Sequence, residues 1–138
     1  MELTKAQLNH LRATLLTSEE KMDRIIGLCD INEKKGILYG IKNNLSEQEN
    51  KRLKNGIMEM KAVIKQLAND LNLERQENDI RRNIDSLLSL LWVDLFSATS
   101  KELKGYGKVD ESIKSELDPI INRLIKTCEK TMRDFRRG

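Results

Sequence analysis

Aromatic side chains are scarce: Tyr39, Trp92, Phe96, Tyr106 and Phe135 are the only five in 138 residues. A sheet-rich core draws on Val, Thr, Tyr and Phe and is therefore disfavoured, and there is little on which nucleic-acid bases can stack. Proline occurs once, at position 119, so few positions forbid helix. Histidine also occurs once, as His10, and the two cysteines, Cys29 and Cys128, form no CxxC pair. Zinc needs grouped Cys and His. A di-iron bundle needs two Glu-x-x-His pairs, and the residue three before His10 is Gln7. Asp30-x-Asn32 opens like a calcium loop, but Lys34, Lys35 and Ile41 stand at its fifth, sixth and twelfth positions. There is no glycine-rich phosphate loop. These absences predict no metal, no cofactor and no enzymatic activity.

Long apolar runs are missing as well. Nothing approaches the roughly 20 residues of a membrane span, and the opening MELTKAQLNHL lacks the basic end and apolar block of a signal peptide. The expectation is a cytoplasmic chain with reduced thiols and no membrane contact. A chain of this length suits one domain, residues 1–138.

What is present is helix chemistry. Charged residues make up 34% of the chain, enough to solvate the outer faces of long helices. The run Leu53, Ile57, Met60, Ile64, Leu67, Leu71 is spaced alternately by four and three, the repeat of a helix packed along another. Three more seams accompany it. Leu8, Leu11, Leu15, Ser18, Met22, Ile25 and Cys29 form the first, opened by a Thr4–Gln7 capping box with Leu3 and Leu8 at the staple positions. Ser46-x-x-Glu49 opens the 53–71 seam in the same way. Ile80, Ile84, Leu87, Leu91, then Asp94 or Leu95, and Ala98 form the third, on a helix expected over 80–104 with Gly105 as its stop. Ile113, Leu117, Ile120 or Ile121, Leu124, Cys128, Met132 and Phe135 form the last. Its helix either begins at Pro119, with Asp118 as cap, or begins near 111 and is kinked by the proline. A turn is required within 70–79, because Leu71 and Ile80 are half a turn out of phase. Ile37, Leu38, Ile41 and Leu45 suggest a short helix at about 31–44, with a strand the alternative that periodicity leaves open. The fold expected is all-α: an up-down antiparallel four-helix bundle with that additional short helix.

Residues 86–98, SLLSLLWVDLFSA, are apolar nearly all round. A helix of that kind is buried on every side or meets a partner. Leu88, Trp92, Leu95 and Phe96 lie beyond the seam and are the candidate interface or ligand-binding residues. The competing reading is that segment 31–44 folds over them. Asp94 lies among them, either inward, where a carboxylate must be paired, or outward if the seam passes through Leu95.

The net charge of +3 resides in residues 126–138, which hold Lys126, Lys130, Arg133, Arg136 and Arg137 against Glu129 and Asp134. Lys130, Arg133, Arg136 and Arg137 are candidate nucleic-acid contacts, or cations that suit a helix C-terminus. His10 should point to solvent, the position of the phosphoacceptor in histidine-phosphotransfer bundles, although Leu11-Arg12-Ala13 departs from the apolar-Lys-Gly pattern of those domains. The leading expectation is a non-catalytic protein acting by protein–protein contact, as a homo-oligomer such as a homodimer or as a small subunit of an assembly. A nucleic-acid-associated subunit and a phosphotransfer-like domain are the alternatives.

Overall fold

The computed structural model describes residues 2–138. The chain is predominantly all-α, and it divides into two compact units, one ending at Arg75 and the other spanning Gln76–Gly138. Within each unit two long helices pack as antiparallel neighbours, as the helices of a bundle do.

In the first unit, α1 (Lys5–Cys29) pairs with α2 (Glu47–Leu71). Both start at the expected capping boxes. The Gln7 amide N–H donates to Thr4 Oγ1 at 3.1 Å while Thr4 N–H donates to Gln7 Oε1 at 2.9 Å. Ser46 and Glu49 repeat the exchange at 3.1 and 3.0 Å. The first seam is half-buried from Leu8 to Met22 and ends on buried Cys29, and Ile57 is the buried centre of α2. Lys61 with Asp23, and Lys54 with Asp30, clasp the flank of the pair. Asn72 ends α2 in the left-handed conformation, φ 52°, within the turn the sequence requires and with a side chain that tolerates it.

Segment 31–44 is not a short helix. It is a two-stranded hairpin, β1 (Glu33–Lys35) against β2 (Gly40–Lys42), with Lys34 opposite Ile41. Gly36 and Gly40 would each cost a helix about 1 kcal/mol, whereas the hairpin is rooted by side chains. Asn43 Nδ2 donates to the Cys29 and Ile31 carbonyls at 3.2 and 2.8 Å, and Asn50 Nδ2 donates to Cys29 O at 2.8 Å. The free carbonyl end of α1 is thereby satisfied.

In the second unit, α3 (Ile80–Phe96) pairs with α5 (Glu111–Arg137). Asp79 caps α3, its Oδ1 accepting from Arg82 N–H at 2.7 Å. The helix expected over 80–104 stops at Phe96. After a short break come α4 (Ser100–Leu103) and a single 3-10 turn, Lys104–Tyr106. Asp118 holds the far side of the break. Its Oδ1 accepts from Ser100 N–H at 2.9 Å and its Oδ2 from the Ser100 hydroxyl at 2.6 Å, so the start of α4 is drawn onto α5. Of the two starts open for the last helix, the structure has the earlier: α5 begins at Glu111 and Pro119 lies inside it. Asp118 therefore caps α4 rather than its own helix. Ile121, Ile125 and Cys128 are the buried apolar residues of this unit.

Candidate functional site

The packing of α3 decides where a contact surface lies. Its half-buried stripe is Asp85, Leu88, Ser89, Trp92 and Leu95, and this stripe faces α5. The Cys128 thiol donates to Leu88 O at 3.9 Å, and Arg136 Nε pairs with Asp85 at 2.7 Å. Trp92 extends the contact to Phe96, ring centroids 4.5 Å apart and tilted by 51°. Three of the candidate interface or ligand-binding residues, Leu88, Trp92 and Leu95, are thus half-buried on this stripe, and the Leu88 carbonyl meets Cys128 of α5. Phe96 remains 42% exposed, and Asp94 points to solvent.

The stripe left in solvent is the one that looked like a core seam. Ile80 is 77% exposed, Leu87 65%, Leu91 45% and Ile84 38%. At about 100° per residue these four lie roughly 40–100° round the helix from Leu88. On α5, Ile113, Ile120 and Leu124 are exposed in the same sense relative to buried Ile121. Because the two helices are antiparallel, the two stripes fall on one side of the pair, end to end rather than side by side: Leu88 lies at Cys128 and Ser100 at Asp118, which sets Ile113, Ile120 and Leu124 beyond Leu91. A bundle helix needs two stripes, one for each neighbour. Here α3 and α5 each carry two and use one.

The polar candidates are spread apart. His10 lies on the exposed side of α1, with its carbonyl accepting from Thr14 Oγ1 at 2.9 Å. The basic segment 126–138 is the last part of α5 rather than a loose tail. Lys130, Arg133 and Arg137 are exposed there, and Arg136 is engaged by Asp85. At the same end Arg81 lies over the Phe135 ring, 4.9 Å from its centroid, and donates to Phe135 O. Arg136 and Arg81 therefore serve the α3–α5 contact, and the carbonyl end of α5 gains the cations its dipole favours.

Sequence reasoning missed Asp118, and its placement as a helix cap hid a longer-range role. The two hydrogen bonds from Ser100, the side-chain one foremost, hold its carboxyl below the ordinary carboxylate range. This is a structural clasp, since Ser100 is buried and both carboxylate oxygens are occupied. A shallow groove at the hairpin root, about 600 Å³ and lined by Cys29, Asn43, Asn50 and Met58 among others, opens widely to solvent. Asn43 and Asn50 are committed to the Cys29 carbonyl. Cys29 and Cys128 are both free and buried. Among the described residues no group of three or more His, Cys, Asp or Glu is placed to hold a metal ion, and no helix is long and apolar enough to cross a membrane. Compared with family models, with curated proteins and with solved structures, the chain matches none.

Proposed function

We propose that this chain works by protein–protein contact and is not a catalyst, and that the contact surface is the open apolar side of the α3–α5 pair. The observation that carries this reading is the second stripe on both helices: Ile80, Ile84, Leu87 and Leu91 on one, Ile113, Ile120 and Leu124 on the other. Exposed apolar side chains aligned along one side of a helix pair mark an interaction surface, while scattered ones do not; here they make a strip that passes from α3 to α5 near Leu91 and Leu124.

The occupant that best suits this face is a second copy of the chain. The α3–α5 pair by itself is a single layer and cannot enclose a core, whereas two such pairs laid face to face can. A twofold axis brings the same stripe onto itself and closes the assembly without leaving a further patch. The exposed fractions are also of the right order. Fully burying a Leu or Ile is worth about 1.5–3 kcal/mol, and seven such residues in each protomer, each about half exposed, offer ample driving force for a stable dimer.

Light scattering on a size-exclusion column tests the reading. Twice the chain mass is expected, with Leu87→Gln shifting the population to the single mass. A chain of single mass at every concentration refutes self-association. A doubled mass indifferent to Leu87→Gln refutes this face.

A further inference from the structure

The hairpin tip presents two neighbouring aliphatic side chains wholly to solvent: Ile37 is 100% exposed and Leu38 96%. The backbone is shaped to hold them out. Gly36 N–H donates to Tyr39 O at 2.8 Å across the base of the turn. The Tyr39 ring lies so close over Gly36 that a Cβ there would fall 2.4 Å from Tyr39 Cε1. With the ring folded against Gly36, Ile37 and Leu38 have no apolar surface behind them. Next to the tip comes Tyr39 itself, 56% exposed, with Lys34 Nζ 5.8 Å from its ring centroid. Lys35 and Lys42 stand exposed on the two strands, and Glu33, the hairpin's one acid, lies 3.6 Å from Lys35. From the tip inward the order is aliphatic, aromatic with a polar end, then ammonium. A bilayer surface has the matching order: acyl chains, interface, anionic headgroups.

We infer that the Glu33–Lys42 hairpin docks its tip into the surface of an anionic lipid bilayer. Three lysines against one glutamate match a negatively charged headgroup layer. A protruding aliphatic pair enters a fluid surface that needs no preformed pocket, whereas a protein partner must supply a complementary cavity to bury it. The contact is peripheral and reversible, because two aliphatic side chains and a few cations amount to one weak anchor. Asn43 and Asn50, bonded to the Cys29 carbonyl, couple the hairpin to the end of α1, so docking the tip holds the α1–α2 unit at the surface. The inference goes beyond the protein contact proposed above, uses different residues, and replaces the expectation of no membrane contact, which rested only on the lack of a spanning run.

The full chain mixed with vesicles of phosphatidylcholine, with and without phosphatidylserine, and read by co-sedimentation, provides the test. Binding is expected to the phosphatidylserine vesicles and to weaken as salt is raised. Ile37→Ser with Leu38→Ser should lower the affinity about tenfold or more. Lys34→Gln, Lys35→Gln and Lys42→Gln together should reduce it to the level seen with phosphatidylcholine alone. Circular dichroism should show the helical content of both variants unchanged, since neither removes a buried side chain. Val93→Gln, on α3 but outside both proposed surfaces, should leave vesicle binding intact. Absence of binding to anionic vesicles at low salt overturns the inference, as does binding that survives the loss of Ile37 and Leu38 or that disappears with Val93→Gln.

Discussion

Replacing Leu87 by glutamine separates the two stripes of α3. Leu87 is 65% exposed in the single chain and belongs to the stripe turned away from α5, so the change removes nothing from the α3–α5 contact. Burying a whole leucine is worth about 1.5–3 kcal/mol, and the exposed fraction of Leu87 therefore carries about 1–2 kcal/mol on docking. In a twofold dimer each substitution acts twice. The expected loss is about 2–4 kcal/mol, roughly a 30- to 700-fold weaker Kd at 1.4 kcal/mol per decade. Sedimentation equilibrium measures this directly. Val93→Gln is the matched control: Val93 is 54% exposed but lies about 120° round the helix from Leu87, and its Kd should stay within about threefold of the parent. If the two variants weaken the dimer equally, general hydrophobicity rather than this stripe drives association. If neither does, the face proposed here is not the interface.

Other consequences can be measured separately. Ile125, 5% exposed, sits at the centre of the α3–α5 contact, and Ile125→Ala should cost about 2–3 kcal/mol in urea unfolding, toward the low end for a buried isoleucine because the contact has one layer. Asp118 has its carboxyl lowered by the Ser100 bonds. Its contribution is fully present above the ordinary carboxylate value and is lost only as pH falls through the lower, folded-state value. Hydrogen exchange at the Ser100 amide should therefore stay protected from neutrality to below about pH 4 and then open, whereas in Asp118→Ala, which has no acceptor, the protection should be weak at every pH. Cys29 and Cys128 are both buried and free, so a thiol reagent should modify neither rapidly in the native protein and both once it is unfolded.

Features decided within a few residues were legible in the sequence. Thr4–Gln7 and Ser46–Glu49 start their helices through bonds spanning three positions, and the structure places both as read. The hairpin was not legible as such. Ile37, Leu38, Ile41 and Leu45 are too few to establish a period, and what roots the strands is Asn43 and Asn50 reaching the end of α1. The end of α3 was hidden because Ser100 answers to a carboxylate 18 residues further on. The orientation of α3 was hidden for another reason. On a helix apolar nearly all round, either stripe satisfies the pattern, and the seam with the more regular spacing, Ile80 to Leu91, proved to be the outer one. Asp85 held the pertinent signal: a carboxylate one turn before Leu88 that pairs with Arg136 marks the side facing the basic end of α5.

That ambiguity makes the polar clasps of the second unit the bearings of a shaft. Aliphatic side chains all round α3 would let it roll against α5, or slide by a turn, at small loss of burial, since one leucine substitutes for another. Arg136 on Asp85 and Arg81 on the Phe135 carbonyl favour one angle and one offset of α3, and Asp118 on Ser100 anchors α4 just past its end. With these contacts made, Leu88 and Trp92 stay on the half-buried side and Ile84 and Leu91 on the open one. Burial drives the pair together, and the polar contacts bias which apolar stripe the molecule shows.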